Sequence, residues 1–163
     1  MTTRLDNVKK ILVINLGGIG DFLLSTPALR ALKAAFPNAR ISLLVVPRVV
    51  ELVKDLSYID EVFVLDIKFE SILKDLLLLF KLRGRKFDIA INMRTLVTDN
   101  SARKIKFLFD IIAPRIRAGR DTDGRGSFLD IKITETWKGE KSEAEYDIDT
   151  VAALGADVAD RHI

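Results

Sequence analysis

The sequence predicts a parallel β-sheet covered by helices on both faces, a Rossmann-like α/β fold, and three observations predict it. Apolar runs of strand length alternate with amphipathic stretches of helical length. The first run, Ile11 to Ile14, is apolar throughout and closes at the glycines Gly17, Gly18 and Gly20, as expected of a strand buried on both faces. The spacing leaves room for right-handed β-α-β crossovers. With 48% hydrophobic and 30% charged residues in 163, the chain has the material for one domain with a full core.

The elements follow in order. After the first strand, a turn at Asp21 to Leu24 leads to Thr26 as N-cap and Pro27 at the first helical position. Leu29, Leu32 and Phe36 share a face, and Pro37-Asn38 ends that helix. Arg40 to Val46 is a second strand, rich in aliphatic and β-branched residues. Pro47 opens a helix with Val49, Leu52, Val53 and Leu56 inward, and Glu61 to Leu65 is a third strand. Ser71 to Leu82 is a helix whose apolar set is Phe69, Ile72, Leu73, Leu76, Leu77 and Phe80, widened by Leu78, Leu79 and Leu82. Asp88 to Asn92 is a fourth strand. A helix over about Asp99 to Ile112 turns Ala102, Ile105, Leu108, Phe109 and Ile112 inward until Pro114 stops it. Arg115 to Gly119 forms a short fifth strand, Asp121 to Gly126 a loop, and Phe128 to Thr134 an edge strand. A last helix, Glu143 to Leu154, ends at Gly155.

Composition excludes several chemistries. The chain has no Cys, which removes disulfides, thiolate metal sites and thiol nucleophiles. Its one His, His162, cannot form a His-based metal cluster, and no metal is expected. No stretch approaches the ~20 apolar residues that span a bilayer, and the apolar run after the charged opening Met1 to Lys10 is too short for a signal peptide, which fits a cytoplasmic location. A formal charge of +3 is too small and too dispersed for a nucleic-acid-binding domain. It suits an anionic small molecule or a membrane surface.

In a sheet of this kind ligands sit beyond the carboxyl ends of the strands, where the strand order reverses. The candidate loops are therefore Gly17 to Asp21 and Met93 to Asp99. The glycine turn lacks the Gly-x-Gly-x-x-Gly spacing of a dinucleotide site and the Gly-Lys-Ser/Thr of a Walker loop. An acid at the helix start would also repel a pyrophosphate there. Asp21 has two readings from its residue type and place: a helix cap, or a general base facing the cleft beside backbone amides.

The run Val13-Ile-Asn-Leu-Gly-Gly-Ile-Gly-Asp-Phe-Leu-Leu-Ser-Thr-Pro-Ala-Leu-Arg30 resembles the opening of the ADP-heptose:lipopolysaccharide heptosyltransferases, glycosyltransferase family 9. The resemblance continues through Phe36 to Leu44, Ile59 to Val62, Phe87 to Asn92, Gly119 to Leu129 and Val151 to Gly155. It implies the N-terminal half of a two-domain GT-B glycosyltransferase. Residues 1–155 would form the acceptor-binding domain and 156–163 the start of an interdomain linker, because members of the family are about twice this long. Asp21 would be the catalytic base, with Gly17, Gly18 and Gly20 shaping the substrate cleft. The ADP-sugar donor would bind the second domain, so the isolated chain would not turn over. The acceptor would be a lipid-linked acidic sugar of the lipopolysaccharide inner core, met at the inner face of the membrane. The segment Met93 to Val97 departs from the family's acidic-then-arginine-glycine sequence after the fourth strand.

Arg94, Arg120 and Arg125 fall at or near sheet ends, where arginines can grip phosphates or sugar carboxylates in bidentate fashion. Ordinary surface charge is the alternative for each. The leucine-rich helix with Lys81, Arg83, Arg85 and Lys86 at its end reads as a core helix with a charged exit, or as a contact with an anionic leaflet. A second functional reading of the whole chain is a non-catalytic Rossmann-like module that binds a nucleotide or a partner domain.

Overall fold

A computed structural model describes residues 5–158. His162 and most of the 156–163 segment lie outside the described residues. Six strands form one wholly parallel sheet: β1 (Lys10–Asn15), β2 (Arg40–Val45), β3 (Glu61–Val64), β4 (Ile89–Asn92), β5 (Ile116–Thr122) and β6 (Ile131–Glu135), in the order β3-β2-β1-β4-β5-β6. Strand order reverses between β1 and β4, which pair directly, Ile11 opposite Ile89 and Ile14 opposite Asn92. The carboxyl ends of these two strands therefore open the crevice anticipated from the sequence.

The helices are α1 (Ile19–Ala35), α2 (Val50–Val53), α3 (Ile72–Arg85), α4 (Asp99–Ile112) and α5 (Glu143–Ala152). Two apolar cores result, one on each face of the sheet. On one face α1, α2 and α5 cover Ile11, Val13, Ile41, Leu43 and Ile89. On the other, α3 and α4 cover Leu12, Ile14, Leu44 and Ala90. Successive strand residues point to opposite faces, so β1 must be apolar at every core position to serve both layers.

Three helical elements depart from expectation, each for a local reason. The first helix is not split at Thr26-Pro27; α1 runs unbroken from Gly18, its N-cap, and Pro27 lies buried inside it. Pro27 has no N–H for the carbonyl of Leu23, and the Thr26 hydroxyl donates to that carbonyl instead, at 2.8 Å. The stretch after Pro47 is a 3₁₀ turn plus the single turn α2, with Val49 and Val53 buried but Leu52 exposed.

The third departure is larger. Of the apolar set assigned inward on α3, Phe69, Ile72, Leu73, Leu77 and Phe80 are exposed and Leu76 is half-buried, while Leu79 and Leu82 are buried. The residues taken to widen the stripe are its core face. Periodicity alone could not choose, because α3 carries leucines on nearly its whole circumference. By contrast α4 has only one apolar face, and all five of its expected inward residues are buried. Both helices end in a left-handed residue other than glycine, Lys86 and Ala113, and Pro114 bars continuation of α4.

Candidate functional site

The turn after β1 and the loop after β4 meet across the crevice. Asp21 sits in the first turn of α1, three residues after the N-cap. Its Oδ2 accepts the Gly18 N–H at 2.9 Å, so the carboxylate does cap the helix. Its Oδ1 is 2.7 Å from Nη1 of Arg94, the second residue beyond β4. Both side chains are about one-third exposed at the mouth of the crevice. Burial works against ionisation of Asp21, but the Gly18 N–H, the adjacent Arg94 and the more distant Arg120 together hold its carboxyl below the usual value. Asp21 is thus an anion at neutral pH, with one oxygen on the Gly18 N–H and one on the Arg94 guanidinium.

The glycines differ in their reasons. None of Gly17, Gly18 and Gly20 has positive φ, so the turn does not need their conformational freedom. Gly17 is required by space: a Cβ there would lie 2.8 Å from Asp21 Oδ2 and 3.0 Å from Arg94 Nη1. A Cβ on Gly18 would meet Asp21 Oδ2 at an ordinary 3.7 Å, and one on Gly20 would meet nothing. The glycine turn therefore lets the Asp21–Arg94 pair close over the backbone at Gly17.

Beneath this pair lies a second, fully buried one. Arg120, expected at the cleft, has 0% exposure. The cause is strand length: β5 runs three residues past Gly119 to Thr122, so Arg120 is a strand residue and points inward. Its guanidinium bonds Asp147 and reaches Glu143 Oε2 at 2.8 Å, Thr95 Oγ1 at 3.0 Å and Glu135 Oε1 at 3.2 Å. It also stacks 5.5 Å from the Tyr146 ring centroid. Nη1 and Nη2 of Arg120 are taken up by this cluster, and its Nε, which has no partner, is fully buried, so no donor of Arg120 reaches the surface of the crevice. Arg125 is partly exposed, but it pairs with Asp99 at 3.0 Å and Asp123 at 3.2 Å. Only Arg94 of the three arginines stands beside Asp21.

The buried cluster supports both loops of the crevice. Asn15 ends β1; its Oδ1 accepts the Gly17 N–H at 3.2 Å and its Nδ2 donates to Ser25 Oγ at 2.9 Å. Ser25 Oγ lies 2.5 Å from Asp147 Oδ2, and Asp147 joins Arg120. Arg120 in turn bonds Thr95, the neighbour of Arg94, and Thr122 of the same strand accepts the Leu96 N–H at 3.0 Å. Asn92, buried at the end of β4, donates to the Arg94 carbonyl at 2.7 Å.

Desolvation pushes the Asp147 carboxyl up to about 6, against the pull of Arg120 and Ser25 and with added repulsion from Glu143. Ser25 Oγ also lies 3.1 Å from the Asp21 carbonyl, and one hydroxyl proton cannot serve both that carbonyl and an ionised Asp147. A proton on Asp147, present as pH falls below about 6, satisfies both.

Sequence reasoning missed Asn15, Ser25, Thr95, Glu135, Glu143 and Asp147. Two of them carried a signal: Asn15 is the polar end of an apolar strand, and Ser25 interrupts an apolar helix stretch.

Neither a protein-family model nor a curated protein matches the sequence. Solved structures do. The crystal structure of the glycosyl transferase family 9 from Veillonella parvula DSM 2008 matches 98% of this chain and 44% of its own, with a TM-score of 0.76 and 25% identity. Its structural neighbours are family 9 glycosyltransferases and heptosyltransferases. Among the latter are E. coli ADP-heptose lps heptosyltransferase II, with a TM-score of 0.68, 21% identity, and 86% of this chain against 39% of its own. Another is E. coli heptosyltransferase WaaC with ADP, with a TM-score of 0.72, 17% identity, and 93% of this chain against 48% of its own. These are GT-B proteins, and this chain spans less than half the length of each.

Proposed function

We propose that the chain is the acceptor-binding half of a GT-B glycosyltransferase of the heptosyltransferase kind, with Asp21 as the base. The observation that carries this reading is the Asp21–Arg94 pair at the β1/β4 crevice. The neighbours named above, one of them an ADP-heptose lps heptosyltransferase and another bound to ADP, support heptose as the sugar, ADP-heptose as the donor and the lipopolysaccharide inner core as the acceptor.

In this reading an anionic group of the acceptor takes Arg94 by its bidentate face and draws it from Asp21 Oδ1. The freed oxygen accepts the proton of the acceptor hydroxyl as that hydroxyl's oxygen bonds to the anomeric carbon of the donor. The bond from that carbon to the diphosphate breaks, and ADP leaves with the electron pair, a leaving group that needs no protonating acid. Oδ2 stays on the Gly18 N–H and fixes the carboxylate plane throughout. The donor belongs to a second domain, so the isolated chain binds acceptor without turnover.

An NMR titration of the labelled chain tests this reading, with an acidic inner-core sugar fragment and an ADP-sugar added separately. Amide shifts at Gly17 to Asp21 and at Arg94 with the sugar, and none with the nucleotide, are expected. Shifts at the glycine turn with the nucleotide alone would overturn it in favour of a nucleotide-binding module.

A further inference from the structure

The outward face of α3 is apolar. Leu73, Leu77 and Phe80 recur there at helical spacing and are 79%, 71% and 60% exposed, and Phe69, on the 3₁₀ turn before the helix, is 88% exposed. A shallow groove of about 400 Å³ between α3 and α4 extends this face to Ile67 and Phe107, which are also exposed. A contiguous patch of this kind marks an interaction surface rather than scattered surface residues.

Charge identifies the occupant. Residues 67–86 hold six basic residues and two acidic ones. At about 100° per residue, Lys74 and Lys81 fall along one edge of the stripe and Arg83 along the other. Across the groove, Arg103 and Lys104 sit one helical turn before Phe107. Lys74, Arg103 and Lys104 are exposed and have no ion-pair partner among the described residues. The acid nearest the stripe on α3 is turned aside: Asp75 accepts the backbone N–H groups of Asp66 at 3.3 Å and Ile67 at 3.1 Å.

We propose that α3 lies flat on an anionic phospholipid surface, its Leu73–Leu77–Phe80 stripe in the headgroup boundary and its flanking lysines on lipid phosphates. Apolar faces edged by basic residues are the pattern of interfacial helices, whereas the centres of protein interfaces are depleted in lysine. At about 21 Å α3 is too short to span a bilayer, and among the described residues no helix is long and apolar enough to do so. Its first turn follows β3, at the carboxyl end of the strands, the end at which Asp21 and Arg94 stand two and three strands away. Docking through α3 therefore holds the crevice close to a lipid-borne sugar. The inference stands on the exposed stripe and its charges, and it holds whether or not Asp21 acts as a base.

Co-sedimentation with vesicles tests it, comparing equal parts phosphatidylglycerol and phosphatidylethanolamine with pure phosphatidylcholine. The chain is expected to bind the anionic vesicles at least tenfold more tightly, since each basic residue at such a surface adds roughly fivefold. The Leu73→Ser/Leu77→Ser/Phe80→Ser variant loses at least tenfold. Lys74→Glu/Lys81→Glu does the same and flattens the salt dependence. All these positions are exposed, so circular dichroism and melting should be unchanged, and the charge variant reads the surface even if the triple variant misfolds. No binding by the wild-type chain, equal binding to phosphatidylcholine, or unaltered binding by the charge variant would overturn the proposal. So would a dimer in light scattering that the triple variant dissolves, which would make the stripe a self-association face. None of these results bears on the sugar titration, so either reading can fail alone.

Discussion

Two arginine–aspartate pairs lie one above the other in this molecule, and they behave as opposites. Arg94–Asp21 is about one-third exposed at the crevice, and its aspartate is held below the ordinary value. Arg120–Asp147 is wholly buried, and its aspartate is raised to about 6. The same two side chains thus make a removable latch in one place and a fixed brace in the other. The difference is set by water. At the surface the pair gains little, so Arg94 can leave Asp21 at small cost. Inside, the buried Glu135 and Asp147 and the partly exposed Glu143 share one guanidinium, and losing that cation would strand the two buried groups.

The largest way to break this comparison is to remove each arginine in turn. Arg120→Met should lower unfolding stability by about 3–5 kcal/mol, read by urea denaturation, because it leaves buried carboxylates unpaired. Arg94→Met should cost under ~1 kcal/mol. Equal losses would mean that the two pairs do not differ as described.

Titration sharpens it next. Asp147 has a folded value of about 6 against an ordinary 3.8, so its contribution to stability is full below 3.8 and is lost as pH rises through 6. The stability of the wild-type chain relative to Asp147→Asn should fall by on the order of 3 kcal/mol across that window. The asparagine amide can stand in for the protonated acid toward Ser25. A difference flat with pH would remove the proton from Asp147. Asp21 has the reverse sign, its contribution being present above the ordinary value and lost as pH falls through the lowered one.

The smallest effect is expected at the latch itself. Asp21→Asn keeps an oxygen for the Gly18 N–H and should cost no more than ~1 kcal/mol of stability. A large loss in the same urea experiment would make Asp21 a structural residue first.

The sheet was legible in the sequence because apolar runs, glycine turns and helix stops mark it locally. The reversal of strand order then places the loops of Gly17 to Asp21 and of Arg94 together. The face of α3 was not legible, since leucine lies on both its sides and only packing against the sheet and α4 selects one. Nor was the brace. Arginine is seldom buried, and the carboxylates of Glu135, Glu143 and Asp147 that make burial tolerable lie on other elements. Had β5 ended at Gly119, as its composition suggests, Arg120 would have begun a surface loop.

The strand order also sets a schedule. β1 pairs through Ile11 with both Ile41 and Ile89, so its two neighbours arrive at very different times during synthesis. At ribosomal speed the β4 partner follows Ile11 by roughly 4–16 s. Until then the nascent chain carries this apolar strand with one edge open, and the crevice has only one wall. Arg94, the latch, and Arg120, the brace, both lie beyond that point, so Asp21 cannot pair with Arg94 until 73 further residues have been made.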